Sequence, residues 1–233
     1  MNIDNWKYYY KINPDTDQMI ETNLIYTPLI NPEGTIMCMW FDHTNRYQNE
    51  DIAYWLPDRP NYTAEMVKFF FDREVEYLTV FKDKPWAPTV LEIDYDKQQI
   101  FFKWAGQSLN HILYTGHDLN ECCPFWQEQM ADIIKDIVAS GYYKVSLYPH
   151  CYYVEDDVLK TFDFYGCVRA SNPYVSLEDI KGMMGVTSGP RFVEAVKDNK
   201  LNVEVLFKRA LEKYVEWPNN ALSVIYKELY ELC

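Results

Sequence analysis

The stretch Val158-Leu-Lys-Thr-Phe-Asp-Phe-Tyr-Gly166 places a carboxylate, Asp163, directly between a predicted strand and a glycine. The residues before it predict a β-hairpin with strands at 151–154 and 158–162, joined by a solvated turn at Glu155-Asp-Asp157. A carboxylate at the end of such a strand suits a metal that prefers oxygen ligands, and it equally suits a turn closed by an Asx hydrogen bond. Both roles of Asp163 stay open at this point.

A second carboxylate lies on an otherwise apolar helical face. Thr63 is a suitable N-cap, and the spacing predicts a helix from 63 to 81. Its stripe recurs at steps of four and three residues and consists of Val67, Phe71, Glu74, Leu78 and Phe81. Glu74 is either an edge residue whose carboxylate reaches water or a buried group that needs a cation. The buried role is favoured, and the upstream candidates for the cation are Lys7, Lys11 and Arg46.

Strands and helices surround these two carboxylates in a definite order. Strands are predicted at 8–12, 23–30 and 35–41 before the helix, and at 89–95 and 98–104 after it. A short segment at 108–114, a long helix at 120–140 and an extended piece at 142–148 come next. Beyond Gly166 the pattern predicts three helices, at 189–197, 203–215 and 220–232.

This order resembles the protein kinase and aminoglycoside-phosphotransferase superfamily. Residues 74–78 look like the surroundings of the helix-C glutamate, and residues 102–109 look like the fifth strand, the hinge and the start of helix D. Residues 163–166 are similar to the metal-binding Asp-Phe-Gly segment with one residue inserted before the glycine. The resemblance covers the chain from Tyr8 to Gly166.

The resemblance implies an α+β, two-lobed, protein-kinase-like fold. Residues 1–106 would form a small β-rich N-lobe, an antiparallel sheet plus the helix 63–81. Residues 107–233 would form a short, mostly helical C-lobe that contains a catalytic-loop-like and Asp-Phe-Gly-like segment at 143–166. The implied cofactors are ATP and Mg²⁺.

The resemblance also implies roles for particular residues. Asp163 would be the metal ligand and a catalytic residue, and His150 would be a general base in place of a missing aspartate. The nucleotide would be contacted by Glu74 and by the hinge residues Lys103, Trp104, Ala105 and Gly106, with the backbone of 104–106 facing an adenine edge. The residues themselves leave plainer alternatives: His150 as a packed loop histidine, and Lys103 with Trp104 as an alternating pair on a strand.

Several groups that phosphoryl transfer requires are missing from the expected positions. Counting back from Asp163 puts His150 on the catalytic-loop asparagine and Val145 on the catalytic aspartate. No lysine occurs between Lys11 and Lys68, so the predicted third strand has none to contact the phosphates. No glycine precedes Gly34, where a phosphate-covering loop would need several.

Three functional hypotheses follow from these losses. The first is a pseudokinase that acts by binding a protein partner, because phosphoryl transfer depends on the positioning and electrostatics that the lost groups supply. The second is an active atypical phosphotransferase that uses ATP and a divalent metal, with its lysine supplied from another strand, such as Lys11. The third is an acidic viral or assembly-type binding protein without catalysis.

The composition indicates which partners are disfavoured and in which cellular compartment the protein is expected. The formal net charge of −13 over 233 residues disfavours nucleic acid as a partner, because binding to phosphates needs a surplus of lysine and arginine. The six cysteines form no Cys-x-x-Cys pair, so reduced thiols are expected. No apolar window is long enough to span a bilayer and the first residues do not form a secretory signal, which predicts a cytoplasmic protein, in the host cytoplasm if viral.

Overall fold

In the computed structural model, the described residues are 1–9, 11–12, 19–20, 26–42, 64–104, 108–115, 117–144 and 151–169. Several of the predictions fall on other residues and lie outside this set. They concern the N-cap Thr63, the hinge residues Ala105 and Gly106, the loop residues Val145 and His150, and the three helices beyond Gly166.

A five-stranded antiparallel sheet forms the first half of the described chain. Its strands are β1 (Lys7–Tyr8), β4 (Thr27–Ile30), β5 (Ile36–Trp40), β6 (Val90–Asp94) and β7 (Gln99–Lys103), in the spatial order β1-β4-β5-β7-β6. Strands β2 (Lys11–Ile12) and β3 (Met19–Ile20) pair with each other in a separate ribbon. The strands predicted at 23–30, 35–41, 89–95 and 98–104 are thereby confirmed.

Side chains alternate between the two faces of the sheet along β5 and β7, and both faces are buried there. Met37 and Met39 pair with Phe102 and Ile100, and all four side chains enter the main core. Cys38 and Phe101 point to the opposite face and form a smaller core with Leu29. Strand β5 therefore presents sulfur-containing side chains, and no cation, to both sides of the sheet.

One long helix, α1 (Ala64–Phe81), packs against the face of the sheet that carries the main core. Phe70, Phe71 and Leu78 are buried there, and the ring of Phe71 contacts that of Phe41 at 5.6 Å between centroids. The helix predicted at 63–81 is confirmed. Glu74 lies on this buried face, as the stripe predicted.

Three helices follow the sheet: α2 (Leu109–Tyr114), α3 (Leu119–Cys122) and α4 (Trp126–Ala139). The prediction of one continuous helix at 120–140 was wrong, because the chain breaks between α3 and α4. Pro124 has no N–H for a helix interior and disfavours a helical Cys123, which is extended at φ −150°. Phe125 then takes a left-handed conformation at φ +57° before α4 begins. None of the helices among the described residues is long and apolar enough to cross a bilayer.

Two antiparallel pairs complete the described chain and carry Asp163. Strand β8 (Tyr142–Lys144) pairs with β11 (Cys167–Arg169), and β9 (Tyr152–Glu155) pairs with β10 (Val158–Thr161). Asp156 and Asp157, both exposed, turn the hairpin with φ +51° and +63°, which is the pattern of a type I′ turn. A 3₁₀ turn at Phe164–Gly166 follows Asp163. The α+β class and the small antiparallel lobe with one helix are confirmed.

Gln129 of α4 should stabilise the hairpin that leads to Asp163. Its Oε1 accepts from the Leu159 N–H at 2.9 Å, and its Nε2 donates to the carbonyls of Pro124 at 2.8 Å and Asp157 at 3.2 Å. We expect Gln129→Ala to lower the free energy of unfolding by about 1–3 kcal/mol, measured by urea denaturation. The control is Glu128→Ala on the exposed side of the same helix, which should change it by less than about 0.5 kcal/mol. Equal effects of the two changes would contradict this role.

Candidate functional site

Asp163 is buried at the end of the β9–β10 hairpin. Its backbone is left-handed, at φ +66° and ψ +50°, a conformation that Asp adopts more readily than most residues. The Cys151 thiol donates to its Oδ2 at 3.2 Å, whereas its Oδ1 has no hydrogen-bond partner among the described residues. A buried carboxylate oxygen without a partner is costly, so this atom must be compensated by charge nearby.

Glu74 reaches the same region from helix α1. Its side chain is 0% exposed, and its Oε2 accepts from the backbone N–H of Tyr165 at 2.7 Å. The Oε1 atom has no partner among the described residues. The alternative in which this carboxylate reaches water at the edge of the stripe was wrong. The buried role is confirmed, and the helix is hydrogen-bonded to the turn that follows Asp163.

Lys144 is a buried cation at the backbone of Asp163, and its ammonium forms no ion pair within 4.0 Å with either carboxylate. It is 1% exposed, and its Nζ donates to the backbone carbonyl of Asp163 at 3.0 Å. The same ammonium lies 5.4 Å from the centre of the Phe164 ring. Of the upstream cations expected for Glu74, Lys7 is exposed, and the side chains of Lys11 and Arg46 lie outside the described residues. The cation comes from downstream in the chain, from β8.

Burial and neighbouring charges shift the pKa values of Glu74 and Tyr26, which lie near Asp163. Burial raises the pKa of Glu74 to about 8, and the neighbouring charge of Asp163 adds to that rise. The charge of Lys144 and the hydrogen bonds from Tyr165 and Phe164 act in the opposite direction. Glu74 therefore holds a proton near neutral pH. Burial, and then the charge of Asp163, also raise the pKa of the Tyr26 phenol well above its ordinary value, so this neighbour stays neutral.

Aromatic rings are packed together beside the predicted hinge. The Trp104 ring lies 4.7 Å from that of Tyr153, and the Phe162 ring lies within 6.2 Å of Trp104 and 5.9 Å of Tyr153. All three side chains are buried. The backbone N–H of Trp104 donates to the Thr35 carbonyl at 2.8 Å, so it is already used within the sheet.

Tyr9, in the N-terminal part of the chain, contacts the same aromatic residues. Its ring lies 5.2 Å from that of Trp104, and its hydroxyl donates to Ser108 Oγ at 3.0 Å. The Ser108 backbone N–H donates back to the Tyr9 oxygen at 3.1 Å. Ser108 is also the N-cap of α2, so Tyr9 connects the strand region to the helices beyond the hinge.

Lys103 lies at the surface, apart from this packing. Its Nζ contacts Glu155 Oε1 at 2.8 Å and Asp156 Oδ2 at 3.0 Å. The predicted alternation of Lys103 outward and Trp104 inward is confirmed. The catalytic, metal-binding and nucleotide-binding roles that the resemblance implies stay predictions for Glu74, Lys103, Trp104 and Asp163. They also stay predictions for His150, Ala105 and Gly106, which lie outside the described residues.

Three residues of this region were missed in the sequence. Tyr9 and Tyr153 match no motif, Lys144 directly precedes Val145 at the counted aspartate position, and each of the three belongs to a short strand or its flank. A buried Glu74 favours a cation nearby, but the sequence does not show that this cation lies downstream. The aromatic pair carries no such signal, because tyrosines are frequent along this sequence.

The described residues do not fit the nucleotide and metal that a kinase-like site implies. Strand β5, the predicted third strand, carries no cation, and its Met37 and Met39 are buried. The rings of Tyr9 and Tyr153 both contact that of Trp104. In the described part of the chain, no group of three His, Cys, Asp or Glu side chains is arranged to hold a metal ion.

Comparisons with known proteins found structural similarity only. No protein-family model matches the chain, and no curated protein matches it. Monomeric WbdD is 14% identical with a TM-score of 0.45, over 87% of this chain and 48% of that one. The bifunctional kinase-methyltransferase WbdD is 15% identical with a TM-score of 0.46, over 96% and 46%. The Rio2 kinase from Chaetomium thermophilum, in complex with ADP, Mg²⁺ and phosphoaspartate, is 8% identical with a TM-score of 0.42, over 89% and 68%.

The chain thus spans about half the length of the WbdD chains it matches. The described elements follow the order that the resemblance implies: an antiparallel sheet with one helix precedes helices and a hairpin that ends in the Asp163 segment. The buried carboxyl group of α1 is hydrogen-bonded to that segment.

Glu74 should make the stability of the protein depend on pH. Because its pKa is about 8 when folded and about 4.5 when unfolded, only the folded state holds the proton between these values. Stability from this group is present at low pH and is lost as pH rises toward 8, by up to about 1.4 kcal/mol per pH unit. Its titratable neighbours are Asp163, Lys144 and the Cys167 thiol.

The measurement is the free energy of unfolding of the wild type and of Glu74→Gln between about pH 5 and about pH 8. The difference between the two proteins should shift steadily in favour of the variant as pH rises. Parallel curves would show that Glu74 does not hold a proton in the folded state.

Proposed function

We propose that this protein is a pseudokinase: a kinase-like scaffold that acts by binding a protein partner and does not transfer phosphate. The observation that carries the proposal is the ring packing beside the predicted hinge, where the Trp104 ring contacts those of Tyr9 and Tyr153. An adenine would need this space and the peptide groups that line it. Here the Trp104 N–H is already bonded to Thr35.

Displacing these rings would have a substantial free-energy cost. Trp104, Tyr153 and Phe162 are each at most 2% exposed, and an aromatic pair contributes about 0.5–1.5 kcal/mol beyond the burial of its area. Tyr9 would also have to give up both hydrogen bonds to Ser108. A nucleotide would have to compensate for these losses before it gained any net affinity.

The phosphate side of the site supports the same proposal. Met37 and Met39 supply no charge for a triphosphate, and Lys144 is held at the Asp163 carbonyl. Phosphoryl transfer depends mainly on such charges being in position, so their loss should lower its rate by orders of magnitude. The net charge of −13 favours a partner with a basic surface.

The test is a thermal-shift titration with ATP and ADP, each with Mg²⁺ and with Mn²⁺, followed by an ATP turnover assay. We expect no change in Tm at millimolar nucleotide and no turnover above background, because a ligand that binds the folded state must raise Tm. Asp163→Asn and Glu74→Gln are the matched controls for any residual turnover.

Turnover that both of these variants abolish would overturn the proposal. That result would favour an active atypical phosphotransferase. One observation supports this alternative: the charge of the buried Lys144 acts on Glu74, although β5 carries no cation. A rise in Tm with nucleotide but no turnover would also contradict the packed hinge, since nucleotide would then bind.

A further inference from the structure

We propose that Phe125 is the anchor of a protein-binding surface, and that the partner surface it fits is an apolar socket edged by lysine and arginine side chains. The inference rests on the proposed function, because it names where such a scaffold holds its partner and the chemistry of that partner. The surface consists of the exposed Pro124 and Phe125 between α3 and α4, together with Asp157 and Val158 of the neighbouring hairpin. Interfaces between proteins commonly have aromatic side chains at the centre and polar ones at the rim.

The fold alone does not explain a phenylalanine at position 125. Its backbone is left-handed, at φ +57° and ψ +33°, a conformation that glycine and asparagine adopt with less strain than a bulky residue. It precedes α4, yet its side chain makes no capping hydrogen bond of the kind that Ser, Thr, Asp or Asn supply at helix starts. Its ring is 72% exposed, the highest value among the large apolar side chains of the described residues. The free protein thus gains little from this side chain, whereas a partner that buried it would remove the ring from water.

Hydrogen bonds hold the loop that carries Phe125 in one position. Gln129 Nε2 donates to the Pro124 carbonyl at 2.8 Å and to the Asp157 carbonyl at 3.2 Å, which connects the loop to the hairpin turn. The Cys123 thiol donates to the same Asp157 carbonyl at 3.5 Å. A ring on a fixed backbone loses little conformational entropy on binding, and such preorganisation favours association. The loop is therefore a preorganised support for the Phe125 ring.

The segments that meet at this surface carry exposed carboxylates, which determine the charge of a suitable partner. Glu121 lies in the first turn of α3, Glu128 in the first turn of α4, and Asp157 in the hairpin turn. None of the three forms an ion pair with a lysine or arginine of the described residues, and the nearby Lys103 contacts the two acidic residues before Asp157 instead. A partner with basic residues around its socket would be attracted by all three, whereas a second copy of this chain would bring the same carboxylates against them. The charges therefore favour a basic partner and oppose self-association.

The free protein should not need the Phe125 ring. We expect Phe125→Asn to leave Tm unchanged or to raise it, because Asn adopts the left-handed conformation more readily and the change removes exposed apolar area. The matched control is Phe70→Asn on α1, whose ring is 1% exposed and whose loss should lower Tm by many degrees. A fall of several degrees in Phe125→Asn would show that the ring stabilises the fold, and it would overturn the inference.

The partner is tested by photo-crosslinking of the full chain in the cells that naturally produce it. The photoreactive residue p-benzoylphenylalanine replaces Phe125 and, as the control, Lys135, which is exposed on α4. We expect position 125 to crosslink a protein whose labelled peptide combines apolar residues with lysine and arginine. Its yield should exceed that at position 135 by about fivefold or more, because the ring at 125 would lie inside the interface.

Charge reversal at the rim tests whether this partner is held by the proposed surface. Glu121→Lys combined with Glu128→Lys should lower crosslinking at position 125 about tenfold, because a basic partner then meets like charge. The matched control combines Glu65→Lys with Asp83→Lys, which changes the net charge equally at exposed positions elsewhere.

Three outcomes would overturn the inference. They are crosslinking of a second copy of this chain, crosslinking of no protein above the level at position 135, and a crosslinked protein whose yield the rim variant lowers no more than its control. None of these results involves nucleotide, so the proposed pseudokinase function is tested separately.

Discussion

Glu74 is a carboxyl group with no exposed surface, and the arrangement of the candidate site depends on how it is accommodated. It lies on helix α1, which packs against the sheet, and it accepts a hydrogen bond from Tyr165 in the turn after Asp163. One side chain thus joins the sheet and helix to the hairpin. Because a buried carboxyl group without hydrogen bonds is unfavourable, the positions of the helix and the turn are mutually constrained.

Side chains of the chain itself fill the region beside the predicted hinge. The rings of Tyr9 and Tyr153 pack on that of Trp104, and the Lys144 ammonium donates to the backbone carbonyl of Asp163. Strand β5 presents methionine side chains and no cation. These features support the proposal of a scaffold that acts by binding a partner.

The sequence predicted those parts of the fold that local pattern determines. The stripe of α1, the β6–β7 hairpin and the solvated hairpin turn that contains Asp156 and Asp157 follow from periodicity and turn chemistry, and so did the burial of Glu74. The break between α3 and α4 was predictable from Pro124 but was outweighed by the apolar pattern on either side. Lys144 and Tyr9 could not be predicted, because contacts between residues nineteen and ninety-nine positions apart depend on tertiary packing.

We propose that the protein's own rings fill the space beside the predicted hinge, and the most direct measurement is a crystal structure grown with a non-hydrolysable ATP analogue and MnCl₂. The account predicts that the Tyr9 hydroxyl remains bonded to Ser108, that the Tyr153 ring remains packed against Trp104, and that neither analogue nor metal is bound between them and Asp163. An analogue whose adenine lies beside Trp104, with the Tyr9 and Tyr153 rings displaced and Mn²⁺ on Asp163, would contradict it.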